Sequence, residues 1–463
     1  MKTQELKSSF LFVVIFLLLV GCTSKHNRLN EGKETDNVKK KTTERFDVNF
    51  FLENSGSMNG YMNGPTTTFK NQLYSLLTRF KLLENTNSLN LFLINKGQKE
   101  LFLNAGNDDL EKFKNILQPT MFKKLAGEKD LGETDINDLI KRCIEKSDNK
   151  NISILVSDCI YSPGRGVSDA TTYLADQRNG IFLNVASELQ KKQLSIIVLS
   201  CLADFKGVYY DRYNNKVPFN SAVTRPYYIW IIGGQPQINT IVESKLLERI
   251  DGGYSNKIIF QCIEKNQQPD FQILPNSGAG KFKLKRGENS LINEAAKSDK
   301  KFDNGLFGFA IRADFSKIIQ DRSFFLDTVN YKINGGNFHI VKIEEVHDQP
   351  PYSHILKFET NNLIDDSVKI ELISKIPSWV SSNSSTDDSK IGADKNEIRK
   401  TFGLFDLMKG VQNAFDQKNK EGNISTIKVK VVKEHSHVNS GFIIVLLLII
   451  ISATIFFIIK KSR

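Results

Sequence analysis

The chain has 463 residues, 40% of them hydrophobic and 25% charged, with 63 Lys and Arg against 52 Asp and Glu and a net charge of +11. This length and hydrophobic content exclude an intrinsically disordered chain and provide for two or three domains with cores of their own. The basic excess does not point to nucleic acid, because part of it flanks two apolar terminal segments and part is the Lys39-Lys40-Lys41 run, which attraction to an anionic membrane surface explains.

In chain order, Lys2 and Lys7 precede an apolar run from Phe10 to Val20, the charge and length of a secretory signal. The run ends in Leu19-Val20-Gly21-Cys22, which resembles a bacterial lipobox, and the resemblance implies lipidation of Cys22. The expected order is therefore a lipoprotein-type leader over 1–22 and a flexible linker over 23–44.

From residue 45, Phe46 to Leu52 reads as a buried strand running into the polar turn Glu53-Asn54-Ser55-Gly56-Ser57-Met58. Phe69, Leu73, Leu76, Leu77 and Phe80 then recur at helical spacing, and Leu89–Ile94 with Glu100–Leu103 read as a hairpin around Asn95-Lys96-Gly97-Gln98. Thr134-Asp135 opens a helix with Ile136, Leu139, Ile140, Cys143 and Ile144 on one face. Asn151 to Ser157 is an apolar strand ending in Ser157-Asp158, Phe182 to Leu189 lies on a helix, and Leu194–Cys201 and Pro226–Gly233 are two more buried strands. A helix through Ile238, Ile241, Val242, Leu246 and Ile250 completes the unit. Near-continuous apolar strands alternating with one-faced helices predict an α/β domain over 45–253, built on a doubly wound, mostly parallel sheet.

Two connections exceed the usual two to six residues: Ser162–Asn179 and Asp204–Arg225. Both leave the carboxyl ends of strands, where open α/β sheets bind their ligands. The second carries Tyr209, Tyr210, Arg212, Tyr213 and Arg225, residue types that dominate binding hot spots, and makes them candidates for partner binding. The other reading of this segment is a hairpin that decorates the fold without touching a partner.

From Tyr254 the pattern changes to short strands separated by Gly, Asn, Asp and Pro, which predicts a β-rich, sandwich-like domain and stalk over 254–437. Gly441 to Ile459 is uninterrupted apolar chain, long enough at about 1.5 Å per residue to cross a membrane as a helix. Lys460, Lys461 and Arg463 follow, which predicts a cytoplasmic tail over 460–463 and a body on the periplasmic or outer face of a bacterial inner membrane. Apart from Cys22 the cysteines are Cys143, Cys159, Cys201 and Cys262, at no zinc-binding spacing. Cys159 and Cys201 fall at equivalent points of two strands expected to be neighbours, either as a disulfide or as free thiols.

The spacing Glu53-x-Ser55-x-Ser57-Met58, followed by Thr134 and by Asp158 at a strand end, resembles the metal-ion-dependent adhesion site of von Willebrand factor type A domains. The resemblance covers 45–253. It implies that Glu53, Ser55, Ser57, Thr134 and Asp158 converge on a Mg2+ or Mn2+ ion, which captures an acidic side chain from a protein partner without catalysis. The chain departs from the family at its first position, where Glu53 replaces an aspartate and sets the carboxylate one methylene further out. Taken singly, Ser55-Gly56-Ser57 is also ordinary turn chemistry and Thr134 an ordinary helix N-cap. Two alternatives stay open: a hydrolase of the cell envelope, metal-dependent or with Ser57 as nucleophile, and a metal-free structural scaffold. No nucleophilic serine framed by glycines and no His-Glu-x-x-His is present.

Overall fold

In a computed structural model the described residues are 44–64, 66–126, 134–164, 166–167, 169–263, 269–299, 301, 304–434, 448–452 and 454. The leader, Cys22 and the linker lie outside them. From residue 44 onward these residues belong to one compact unit.

Its centre is a seven-stranded sheet. β1 (Phe46–Glu53) lies between β2 (Thr86–Ile94) and β4 (Asn151–Ser157), parallel to both, and β3 (Gln98–Phe102) pairs antiparallel with β2 at one edge. On the other side the order is β4, β6 (Lys216–Gly234), β5 (Leu194–Tyr210) and β7 (Asn256–Gln261), and every pairing there is antiparallel. The sheet is therefore mixed rather than mostly parallel. The cause is local: β5 and β6 are joined by a tight turn at 211–215, and a tight turn can connect only antiparallel strands. β6 thus enters between β4 and β5, where a helical crossover would have set β5 directly on β4. Burial on both faces makes β6 as apolar as a parallel strand, so composition does not distinguish the two arrangements.

Alternation along the strands feeds two cores. Val48, Phe50 and Leu52 of β1, with Ile229 and Ile231 of β6, face the helix Thr68–Leu82 and the helices Asn107–Ile116 and Gln235–Glu243. Phe51, Leu155, Tyr228 and Trp230 face the opposite layer, formed by Ile136–Glu145, Ala170–Lys191 and Leu404–Lys418. The last of these helices returns from beyond the second domain. It packs so closely on Ala170–Lys191 that a Cβ at Gly410 would lie 2.1 Å from Ile181 Cγ2 and 2.6 Å from the Arg178 carbonyl. The boundary expected at residue 253 therefore runs differently, since both β7 and this helix belong to the first domain.

The second domain is a sandwich. One sheet has the strands Lys281–Leu284, Leu291–Ala296, Tyr331–Asn334, Asp366–Ile373 and Asn423–Lys433; the other has Phe271–Leu274, Phe307–Ala313, His339–Glu345 and His354–Thr360. Phe307, Phe309, Ile311 and Phe358 meet Val368, Ile370, Val429 and Val431 in one core.

One expectation is overturned. Among the described residues no helix is long and apolar enough to cross a membrane. Of the span expected over Gly441–Ile459, only 448–452 and 454 are described, as a short helical stretch, and the rest lies outside the described residues. The fold class of the described residues is accordingly a mixed α/β domain with a β-sandwich, and they do not support the expected C-terminal transmembrane helix.

Candidate functional site

Glu53 ends β1. The register pairs Leu52 with Val156, so the next step sets Glu53 beside Ser157 and one residue from Asp158. After Glu53 the chain leaves the sheet into a 3-10 turn, Ser57–Met62, and the Ser55 and Ser57 hydroxyls lie 3.1 Å apart. Asn54 holds this loop by donating from its side-chain amide to Phe122 O at 3.1 Å. At the end of β4, Cys159 adopts the left-handed conformation, with φ of 56°, and its N–H donates to Ser157 Oγ at 2.8 Å. A non-glycine residue pays strain to turn the chain there, and this tight turn fixes Asp158 at the rim.

Thr134 arrives from a third element. The cap of the helix Ile136–Glu145 is Asp135, whose carboxylate accepts from Asn137 N at 2.9 Å. Thr134 is thus relieved of capping, and its hydroxyl lies close enough to Glu53 to favour the ionised carboxylate, though not in hydrogen-bond geometry. All five residues singled out by the sequence, Glu53, Ser55, Ser57, Thr134 and Asp158, meet at one rim. Ser157, not singled out, joins them: its hydroxyl lies against Glu53. The Ser157-Asp158 dipeptide at a strand end was its only signal.

Both carboxyl groups are buried, Glu53 to 5% exposure and Asp158 to 2%. Burial, followed by the neighbouring Asp158 charge, pushes Glu53 up to about 8. Burial also raises Asp158, opposed by the Ser57 hydroxyl and the Arg225 guanidinium. Two carboxylates this close cannot both ionise without compensation, so the pair retains a proton unless a cation is supplied.

The donor set fits a hard divalent cation. Glu53 Oε2, Asp158 Oδ2 and Thr134 Oγ1 are buried without hydrogen-bond partners, and hydroxyl and carboxylate oxygens are the ligands that Mg2+ and Mn2+ take. Among the described residues no group of three His, Cys, Asp or Glu side chains could hold a metal, so the hydroxyls are indispensable to such a site. The cysteines do not contribute: Cys143, Cys159, Cys201 and Cys262 are buried free thiols.

The residues expected to bind a partner are placed differently. Asp204–Arg225 is not an open loop: β5 and β6 continue past the rim as a paired hairpin. Tyr209 and Arg225 lie inside it, at 0% and 1% exposure. The Arg225 guanidinium sits 4.3 Å from the Tyr209 ring centre and 5.7 Å from that of Phe205, and donates from Nη1 to Ile398 O at 3.0 Å. The Tyr209 hydroxyl donates to Asp388 Oδ2 at 2.5 Å, and Asp388 Oδ1 accepts from Arg212 N at 2.9 Å. Arg212 also pairs with Asp387 at 3.5 Å and lies over the Tyr213 ring at 4.4 Å. These side chains hold the segment around 384–400 of the same chain. Of the five, Tyr210 lines an open groove. Stacked, hydrogen-bonded Tyr and Arg serve a buried contact as well as a binding surface, and the sequence does not separate the two. Arg225 has instead a role in the site, as the fixed positive charge nearest Asp158.

Compared with models of known protein families, with curated proteins and with solved structures, the chain matches none.

Proposed function

We propose that this protein is a binding module in which Glu53, Ser55, Ser57, Thr134 and Asp158 hold a Mg2+ or Mn2+ ion that captures an acidic side chain of a protein partner. The observation that carries the reading is the convergence of three separate chain segments on one rim, with buried, unpartnered oxygens on Glu53, Thr134 and Asp158. Glu53 and Asp158 formally balance a divalent ion, and the Arg225 guanidinium beside Asp158 then leaves the rim net positive, which favours an incoming carboxylate. The resemblance to the adhesion-site pattern and the apolar leader ending at Cys22 support placing the module at a bacterial envelope. The test is calorimetric titration of Mg2+ and Mn2+ into the protein beside its Ser55→Ala and Asp158→Ala variants. Binding by the parent and by neither folded variant is expected; a folded parent that takes up no metal at millimolar concentration rejects the reading.

A metal-free scaffold is the second reading, favoured by a specific observation. Arg225 already supplies a positive charge beside Asp158, and a retained proton on Glu53 would neutralise the remainder. In that case Glu53→Gln leaves partner binding unchanged.

A further inference from the structure

Beside the rim lies a groove of about 580 Å3, bounded by the 3-10 turn Ser57–Met62, the helix Pro119–Ala126 and residues 206–210 of β5. Gly56 lines it, so the groove begins at the loop that carries Ser55 and Ser57. Among the described residues its polar lining comprises Asn59, Asn63, Thr120, Lys123, Lys124, Lys206 and Tyr210, with no acidic side chain. The three lysines are exposed and enter no ion pair among the described residues. Its walls are fixed. The turn and β5 approach so closely that a Cβ on Gly60 would lie 2.2 Å from the Phe205 ring, and one on Gly207 would lie 3.0 Å from Gly60 Cα. Asn63 donates to Lys206 O at 3.0 Å across the same contact.

We infer that this groove binds an extended acidic peptide segment, one carboxylate of which reaches the cation site while its neighbours lie along Lys123, Lys124 and Lys206. The inference rests on the cation-site reading above and adds to it the class of partner: a run of Asp or Glu rather than one isolated acidic residue. Charge complementarity selects the sign of the ligand. The lining selects its kind, since among the described residues it has no arginine, whose planar fork marks bidentate phosphate sites, and instead interleaves point charges with amides suited to main-chain and carboxylate groups.

The test measures binding of fluorescein-labelled hexaglutamate and of labelled Gly-Asp-Gly by anisotropy, with Mn2+ and with chelator, while Mn2+ uptake is read separately by electron paramagnetic resonance. The proteins are the parent, the triple variant Lys123→Ala/Lys124→Ala/Lys206→Ala, and the control Lys428→Ala/Lys430→Ala, whose exposed lysines lie on the sandwich. The expected result is hexaglutamate binding that needs Mn2+ and falls roughly tenfold or more in the triple variant, with Mn2+ uptake, Gly-Asp-Gly binding and the control unaffected. Undiminished hexaglutamate binding by the triple variant, with Mn2+ still bound, overturns the groove and leaves the cation site standing. An equal loss in the control likewise overturns it. Lysine-dependent hexaglutamate binding by a parent that takes up no Mn2+ supports the groove and rejects the cation site. Pyrophosphate that displaces the peptide and binds more tightly than it, through the same lysines, overturns the peptide class.

Discussion

Replacing Glu53 with glutamine keeps the shape of the side chain and removes its charge. In the metal-free protein the carboxyl is displaced from an ordinary 4.5 to about 8, first by burial and then by Asp158. Between those values the native state holds a proton that the unfolded chain has released, so the stability contributed by this group is complete below 4.5 and is lost as pH rises through 8. At about 1.4 kcal/mol per pH unit the full displacement amounts to roughly 5 kcal/mol, and sharing of the proton with Asp158 reduces what one substitution recovers to about 2 to 4 kcal/mol. Urea unfolding in chelator should therefore find Glu53→Gln within about 1 kcal/mol of the parent at pH 5 and more stable by about 2 to 4 kcal/mol at pH 9. Saturating Mn2+ should reverse the order at pH 9, because the ion stabilises only the form that binds it. A variant that is less stable than the parent at pH 9 in chelator would refute the account of two carboxyls sharing one buried charge.

Arg225→Met removes a buried guanidinium stacked between Tyr209 and Phe205 and leaves Asp158 without its nearest cation; a loss of about 3 to 5 kcal/mol by urea unfolding is expected, and an unchanged midpoint would dismiss the pairing. Gly410→Ala gains about 1 kcal/mol of helix propensity but drives a methyl into Ile181 and the Arg178 carbonyl. A net loss of about 1 to 2 kcal/mol is expected, and a raised melting temperature would show that the two helices separate freely.

The convergence of the five residues on one rim was more legible in the sequence than the sheet topology that carries them. Glu53, Ser55, Ser57 and Asp158 lie at the carboxyl ends of β1 and β4, adjacent parallel strands, and strand ends in a parallel sheet share a rim whatever happens at its far side. Thr134 was legible because a helix start packs back on that rim, although Asp135 rather than Thr134 proved to be the cap. The strand order beyond β4 was not legible. Pro226–Gly233 is apolar whether it pairs with β4 directly or through β5, and the turn at 211–215 that decides the matter sits among tyrosines and arginines that also suit a binding loop. In the helix Leu404–Lys418 the residues Leu404, Met408, Val411 and Phe415 recur at helical spacing, but amphipathicity states only that a face is covered, not that the cover lies some two hundred residues away.

The inserted strand has a consequence for access. A crossover connection would have carried the chain away from the rim after β4's neighbour, whereas β6 runs into the sheet from the rim and brings Arg225 and Pro226 past Asp158 on the way. The hairpin that results packs Phe205 on the turn Ser57–Met62, with Tyr61 donating to Pro226 O at 2.5 Å and its ring 5.0 Å from that of Phe205. That side of the site is closed: Tyr61, Phe205 and Arg225 are all buried. Gly56, Ser57 and Asn59 on the other side are half-buried. On the proposed reading, an acidic ligand comes along the groove that begins at Gly56, past the three lysines and toward the carboxylates. In that proposal the hairpin shapes the approach to the rim, and Tyr209 and Arg225, both buried, do not touch the partner.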